Sequence, residues 1–88
     1  MSKWEKRLLK IRQNPKNVRF EDLEIILLRL GFNKRQESTS HAVFKLGNYR
    51  LIIPKPHGSP FVKELYIKKF FLPMMEALDV IEEEQYGR

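Results

Sequence analysis

Two six-residue stretches of alternating polarity, separated by two turn residues, constrain the fold of this chain more than any other feature. They are His41–Leu46 and Tyr49–Pro54, with Gly47-Asn48 between them. Side chains alternate between the two faces of a strand, and a two-residue Gly-Asn loop is typical of a β-hairpin. The pattern predicts a hairpin with Ala42, Phe44, Leu46, Tyr49, Leu51 and Ile53 on one face and His41, Val43, Lys45, Arg50 and Ile52 on the other.

Apolar residues recur every three or four positions before the hairpin, which predicts two helices. The first is expected over residues 3–13, where Ser2 and Glu5 have the spacing of a capping box. The second is expected over residues 20–30 and ends before Gly31. Between the second helix and the hairpin, residues 33–37 form a polar segment that is predicted to be an edge strand.

A last helix is expected after the hairpin. Ser59 is a good N-cap residue, and Pro60 is favourable at the first helical position, so the helix is predicted to begin there. Pro73 lacks an amide N–H and is expected to kink or split this helix. The predicted buried stripe comprises Ile67, Phe70, Phe71, Met74, Leu78 and Ile81.

These elements predict an α+β fold, in which a three-stranded antiparallel sheet packs one face on helices. The α-β-β-β-α order is the layout of a double-stranded-RNA-binding domain, here with an extra N-terminal helix. A chain of 88 residues supports one domain. We divide it into a helical extension (residues 1–17), a core (18–81) and an acidic tail (82–88), and we expect a cytoplasmic protein because neither a signal peptide nor a membrane span is visible.

The charge is distributed unevenly along the chain. Sixteen basic and six acidic side chains precede Phe70, whereas one basic and five acidic side chains follow from there. A basic body with an acidic tail suggests a polyanionic partner, with RNA or DNA as the leading candidates. Cysteine is absent, so disulfides, thiolate zinc sites and cysteine nucleophiles are excluded.

The candidate chemistry centres on two histidines, His41 and His57. Neither has the neighbours of a metal motif, and the four glycines form no phosphate-binding loop, so no metal or cofactor is expected. RNA carries its own nucleophile, the 2′-hydroxyl, and its cleavage requires a proton-transferring group and cations near the phosphate. His41 shares a predicted strand face with Lys45 and Arg50, although an exposed histidine on a basic strand can also be a plain surface residue.

The segment 35–44 resembles the signature of the HicA toxin family, the mRNA interferases of bacterial toxin–antitoxin pairs. Family members typically carry Gly-Ser-His-His-x-Phe after an arginine, and Arg35, Ser40, His41 and Phe44 match this pattern. Further segments resemble the family in the same order, namely residues 14–23, 31–32, 53–58 and 62–70. The resemblance covers about residues 9–81.

The resemblance implies a double-stranded-RNA-binding-like fold, cleavage of mRNA and neutralisation by a HicB-type antitoxin protein that covers the active site. By position, His41 is the catalytic residue, and Ser40 positions either His41 or the phosphate. Face and charge add four RNA-binding candidates, which are Lys45, Arg50, Lys55 and His57.

Two departures from the family pattern leave an alternative open. Thr39 replaces the family glycine, and Ala42 replaces the second histidine. A β-branched residue tolerates neither a positive φ nor a close approach of RNA well. The alternative is a non-catalytic RNA-binding module, or a decayed toxin that still binds its antitoxin.

Several large apolar residues have two interpretations. Trp4 is expected to pack on the core, and the aromatic residues near the last helix are expected to be core rather than a stacking surface for bases. Val43 and Ile52 lie on the outer sheet face, where they can either stabilise the sheet or contact a protein partner. The aromatic residues near the last helix are Phe61, Tyr66, Phe70 and Phe71.

Overall fold

The computed structural model describes residues 3–36 and 40–80 and shows an α+β protein with a three-stranded antiparallel sheet. Predictions for Ser2, Thr39, Ile81 and the acidic tail lie outside the described residues. Among the described residues, no helix is long and apolar enough to cross a membrane. In chain order the elements are α1 (Lys3–Gln13), β1 (Val18–Arg19), α2 (Phe20–Arg29), β2 (Asn33–Gln36), β3 (His41–Leu46), β4 (Tyr49–Pro54), β5 (Phe61–Val62), α3 (Glu64–Tyr66), a π-helical segment (Ile67–Phe71) and α4 (Leu72–Ala77).

The first two helices confirm the predicted positions. Leu8 and Ile11 of α1 are buried in the same hydrophobic cluster as Leu23 and Leu27 of α2, and Trp4 packs against this cluster as expected. Helix α2 ends where Gly31 adopts a φ of +103°, a conformation that glycine reaches without strain. The two amphipathic helices therefore cover one side of the core together.

The main sheet has the strand order β2-β3-β4, and both pairings are antiparallel. The hairpin between β3 and β4 turns at Gly47-Asn48, as predicted. Gly47 has a φ of +58°, while Asn48 is not among the residues with a positive φ. A two-residue loop with a positive φ only at its first residue is of type II′, which follows the right-handed twist of the strands.

Burial confirms the predicted faces of the hairpin. Ala42, Phe44 and Ile53 are fully buried on the face that meets the helices. The ring of Phe44 lies 6.5 Å from the ring of Phe20, centroid to centroid. On the opposite, outer face His41, Lys45, Arg50 and Ile52 are exposed.

The start of the last helix was predicted wrongly. Residues Phe61–Val62 form β5, which pairs with β1 at Arg19↔Phe61 and Val18↔Val62. The Phe61 amide donates to the Ser59 hydroxyl (3.1 Å), and the Phe20 amide donates to the Pro60 carbonyl (3.0 Å). The two residues after Pro60 therefore belong to a strand, and the helix begins later, at Glu64.

The proline inside the last helix is accommodated by a change of helix type. Before Pro73 the chain forms a π turn, in which the Leu72 amide donates to the Ile67 carbonyl five residues earlier. Pro73 then lies in the first turn of α4, where a missing amide N–H is tolerated. No break in the helix is needed.

The π turn also shifts the buried stripe of this helix. Ile67 and Phe71 are buried as predicted, and Met75 joins them as a fully buried residue that the regular helical period did not select. Phe70, predicted to be core, is 49% exposed and stacks on Tyr66 with 6.0 Å between ring centroids. Phe61 is likewise exposed rather than core.

Adjacent phenylalanines test this helical register. Phe71→Ala should lower the free energy of unfolding by about 3–5 kcal/mol, because it opens a cavity in the core. Phe70→Ala is the matched control and should cost about 1 kcal/mol or less, because Phe70 is already half exposed and loses mainly its contact with Tyr66. Urea denaturation of both variants measures the difference. Equal losses of unfolding free energy in the two variants would contradict the helical register in which Phe71 is buried and Phe70 is exposed.

Candidate functional site

His41 opens the central strand β3 and lies on the outer face of the sheet. Its side chain is exposed, whereas the next residue, Ala42, has no exposed surface. This contrast follows from the strand period, because Ala42 and Phe44 must enter the core and His41 must then point away from it. An imidazole in this position can exchange a proton with a ligand on the sheet surface.

A backbone hydrogen bond ties the strand end at His41 to the chain after β4. The Lys55 amide donates to the Ser40 carbonyl at 2.7 Å. Hydrogen-bonded and non-hydrogen-bonded pairs alternate along an antiparallel ladder, so the next pair, His41↔Pro54, is a non-hydrogen-bonded pair. Pro54 therefore occupies a position where its missing amide costs no ladder hydrogen bond, and its ring shares the outer face with His41.

Three cations lie on the outer face of the sheet. Lys45 and Arg50 are direct cross-strand partners, four residues from His41 along β3 and hence about 13 Å away. Arg35 of β2 is the partner of Val43 and is therefore diagonal to His41, at a typical separation of about 7–8 Å. All three side chains are exposed, so the face is positive and accessible to an anionic ligand.

Val43 and Ile52, the apolar residues of this face, differ in exposure. Val43 is only 1% exposed, although it lies on the face opposite the core, whereas Ile52 is 43% exposed. They are cross-strand partners, and the central position of β3 explains the better coverage of Val43. The exposed apolar surface next to His41 thus belongs to Ile52.

A cleft adjoins the His41 end of the sheet. It has a volume of about 610 Å³, which is within the range of small-ligand sites. Its lining includes Pro54, Lys55 and His57, together with Lys16 and the segment that leads into α3. His57 therefore belongs to this cleft and not to the sheet face that carries His41.

A second cleft shares the lining residues Lys55, Pro56 and Ser59 with the first. Its volume is about 470 Å³, and its cationic lining residues are Arg19, Lys34 and Lys55. Lys34 forms a salt bridge with Glu24, so its charge is partly neutralised. Lys55 lines both clefts, and its amide is bound next to His41.

The structure therefore brings together only some of the predicted residues. Ser40, His41 and Lys55 lie at one end of the sheet, with His57 in the adjoining cleft, while Lys45 and Arg50 lie at the other end. Arg35 matched the sequence signature but was not assigned to the site, although the strand register makes it the cation of β2 nearest to His41.

Two further lysines, Lys16 and Lys63, were missed because nothing in the sequence indicated the β1–β5 pairing. This pairing aligns Val18 with Val62 and so brings the residues just outside it to one cleft. Lys16 lies in a turn-forming segment after α1, and Lys63 was assigned to the interior of a helix. A short strand pair of two residues has no periodicity that sequence patterns can reveal.

Within residues 3–36 and 40–80, no three histidine or acidic side chains are close enough to hold a metal ion together. Comparison of the chain with protein-family models, with curated proteins and with solved structures finds no significant match.

The hydrogen bond at the strand end has a measurable consequence. The Lys55 amide should exchange with solvent at least about tenfold more slowly than the same amide in an unstructured peptide, because opening it requires the strand end to separate. Hydrogen exchange followed by NMR measures this rate. Exchange at the unstructured rate would show that the loop is not tied to Ser40.

Proposed function

We propose that this protein is an endoribonuclease toxin of a bacterial toxin–antitoxin pair, with His41 as its catalytic residue. One observation carries the proposal: an exposed histidine opens the central strand on a sheet face that also bears Arg35, Lys45 and Arg50. Proton transfer and phosphate binding, the two requirements for RNA cleavage without a protein nucleophile, are thereby available on one surface.

The reaction uses the 2′-hydroxyl of the RNA. Its oxygen attacks the adjacent phosphorus, and its proton is taken up by a base. The bond from phosphorus to the 5′-oxygen breaks, and the leaving oxygen gains a proton. The products are a 2′,3′-cyclic phosphate and a 5′-hydroxyl end. His41 takes up or supplies one of these protons, the cations stabilise the charge on the phosphate oxygens, and Ser40 positions the phosphate or His41.

The order of elements supports the comparison with double-stranded-RNA-binding domains. Helix α2, the strands β2, β3 and β4, and the last helix follow the α-β-β-β-α order, and α1 precedes them. We propose this fold relationship, and with it membership of the HicA family, on the order and on the quoted sequence motifs. The cytoplasm is the compartment in which such a protein meets mRNA.

The proposed protein partner is a HicB-type antitoxin that covers the outer sheet face. Ile52 supports this assignment, because it is 43% exposed, lies diagonal to His41 and has Lys45 and Arg50 as neighbours on the same face. An apolar residue within a polar rim is typical of protein interfaces. Bound there, an antitoxin would block access of RNA to His41.

One of the two departures from the family pattern does not argue against catalysis. Ala42, which replaces the second histidine of the family pattern, is fully buried on the core face. A histidine at this position would not share the surface of His41, so its replacement removes no group from the proposed site. Thr39, the other departure, lies outside the described residues.

A matched pair of histidine variants tests the role of His41. His41→Gln should lower the rate of RNA cleavage at least about 100-fold, because it removes the proton-transferring group and keeps a polar side chain of similar size. His57→Gln should leave the rate at saturating RNA within about twofold, since His57 is assigned to binding. Gel analysis of labelled mRNA with the purified proteins measures both rates.

The same assay identifies the chemistry. Cleavage should persist in EDTA and should yield 2′,3′-cyclic phosphate ends. Full activity of a folded His41→Gln variant would contradict the catalytic assignment. Cleavage abolished by EDTA would contradict the metal-independent mechanism.

The alternative is an RNA-binding protein without catalysis, and the replacement of the family glycine by Thr39 favours it. This alternative predicts RNA binding that weakens steeply with salt and no cleavage. Under either function, the triple variant Arg35→Ala/Lys45→Ala/Arg50→Ala should reduce the slope of log affinity against log salt by about 2 for single-stranded RNA. Fluorescence anisotropy at several salt concentrations measures the slope, and an unchanged slope would show that RNA binds elsewhere.

A further inference from the structure

The cleft beside the proposed site shares one residue, Pro54, with the outer face of the sheet. Pro54 lines this cleft and is the direct cross-strand partner of His41, and side chains of such partners point to the same face. Neighbouring strands are only about 4.8 Å apart. His41 therefore lies about one strand spacing from a residue that lines the cleft.

The charge of the cleft favours an anion. Lys16, Lys55 and Lys63 line it, together with one carboxylate, Glu64. Glu64 is bound by Lys68, whose ammonium lies 2.7 Å from the carboxylate. The cleft therefore presents three lysines and one carboxylate, whose charge Lys68 offsets in part.

The state of Glu64 follows from the same contacts. The hydrogen bond from Lys68 is the largest influence and lowers the pKa of Glu64 below its ordinary 4.5. Desolvation opposes this shift, and the charges of Lys68 and Lys16 add smaller contributions that lower the pKa. Glu64 is thus ionised at neutral pH. Its negative charge repels a phosphate in the cleft, so removal of this charge should strengthen phosphate binding.

An aromatic ring is available in the cleft for contact with a base. Phe61 lines it and is 39% exposed. The guanidinium of Arg19 lies over one face of this ring, 5.6 Å from its centroid, in a cation–π contact. Unpaired bases stack on exposed rings of this kind regardless of their sequence.

We propose that this cleft binds one unpaired nucleotide of the RNA strand, adjacent to the nucleotide at His41. The lysines hold its phosphate and Phe61 contacts its base. The proposal rests on the proposed function for its ligand, and it specifies the substrate as single-stranded, because a base within a duplex is already stacked and paired and cannot enter the cleft.

The test measures binding in a His41→Gln background, so that cleavage does not interfere. The probe is a fluorescein-labelled 12-nucleotide RNA of mixed sequence, used alone and annealed to its complement. The single variants Lys16→Ala and Lys63→Ala should each weaken binding of the single strand about threefold, and the double variant Lys16→Ala/Lys63→Ala should weaken it roughly tenfold. Lys69→Ala also removes one positive charge and is therefore the control for each single lysine variant. Lys69 is exposed on the π-helical segment that follows α3 and does not line the cleft, so its replacement should change the affinity less than twofold.

Two more variants separate charge from stacking. Glu64→Gln should tighten binding of the single strand about two- to threefold, because it removes a like charge from the phosphate site. Phe61→Leu should weaken it about fivefold or more through lost stacking, and should leave binding of the duplex unchanged. Circular dichroism establishes that each variant is folded.

The results distinguish this proposal from the proposed nuclease function. Weaker binding by the cleft variants supports the cleft even if the wild-type protein cleaves no RNA. Unchanged binding by the lysine and Phe61 variants overturns the cleft even if the wild type is an active nuclease. Equal losses for Lys69→Ala and the individual cleft lysine variants, or preferential binding of the duplex, also overturn it.

Discussion

The burial of Phe44 on the central strand is the interaction on which the rest of the site depends. This side chain is fully buried against the ring of Phe20, and it fixes which face of β3 meets the helices. His41 lies three residues earlier, an odd number, so it must point to the opposite face. A shift of the strand by one residue would bury His41 and expose Phe44, so the hydrophobic core and the exposed imidazole are fixed together.

Most of the regular elements could be predicted because their periods extend over many residues. Helix α1, helix α2 and the hairpin around Gly47-Asn48 each repeat an apolar pattern over about ten residues, and the structure confirms them. The region after Pro54 could not be predicted in the same way. Pairing between β1 and β5 involves two residues on each strand, and the π turn before Pro73 changes the helical period where a regular helix was assumed.

The site was predictable to the extent that it depends on strand alternation. The sequence correctly indicated that His41, Lys45 and Arg50 share a face. It did not indicate that Lys16 and Lys63 meet in one cleft, because this relation depends on contacts between distant segments. Lys55 illustrates this limit, because its position in two clefts depends on segments that are distant in the sequence.

NMR mapping of a bound RNA strand tests the account most directly. The central claim is that one RNA strand lies on the outer sheet face at His41 and continues past Lys55. Titration of labelled protein with a single-stranded RNA that carries 2′-deoxy sugars, and so cannot be cleaved, should shift the imidazole resonances of His41 and His57 and the Lys55 amide together. Resonances of α1 should remain in place. Shifts confined to α1, with both imidazoles unchanged, would contradict the claim.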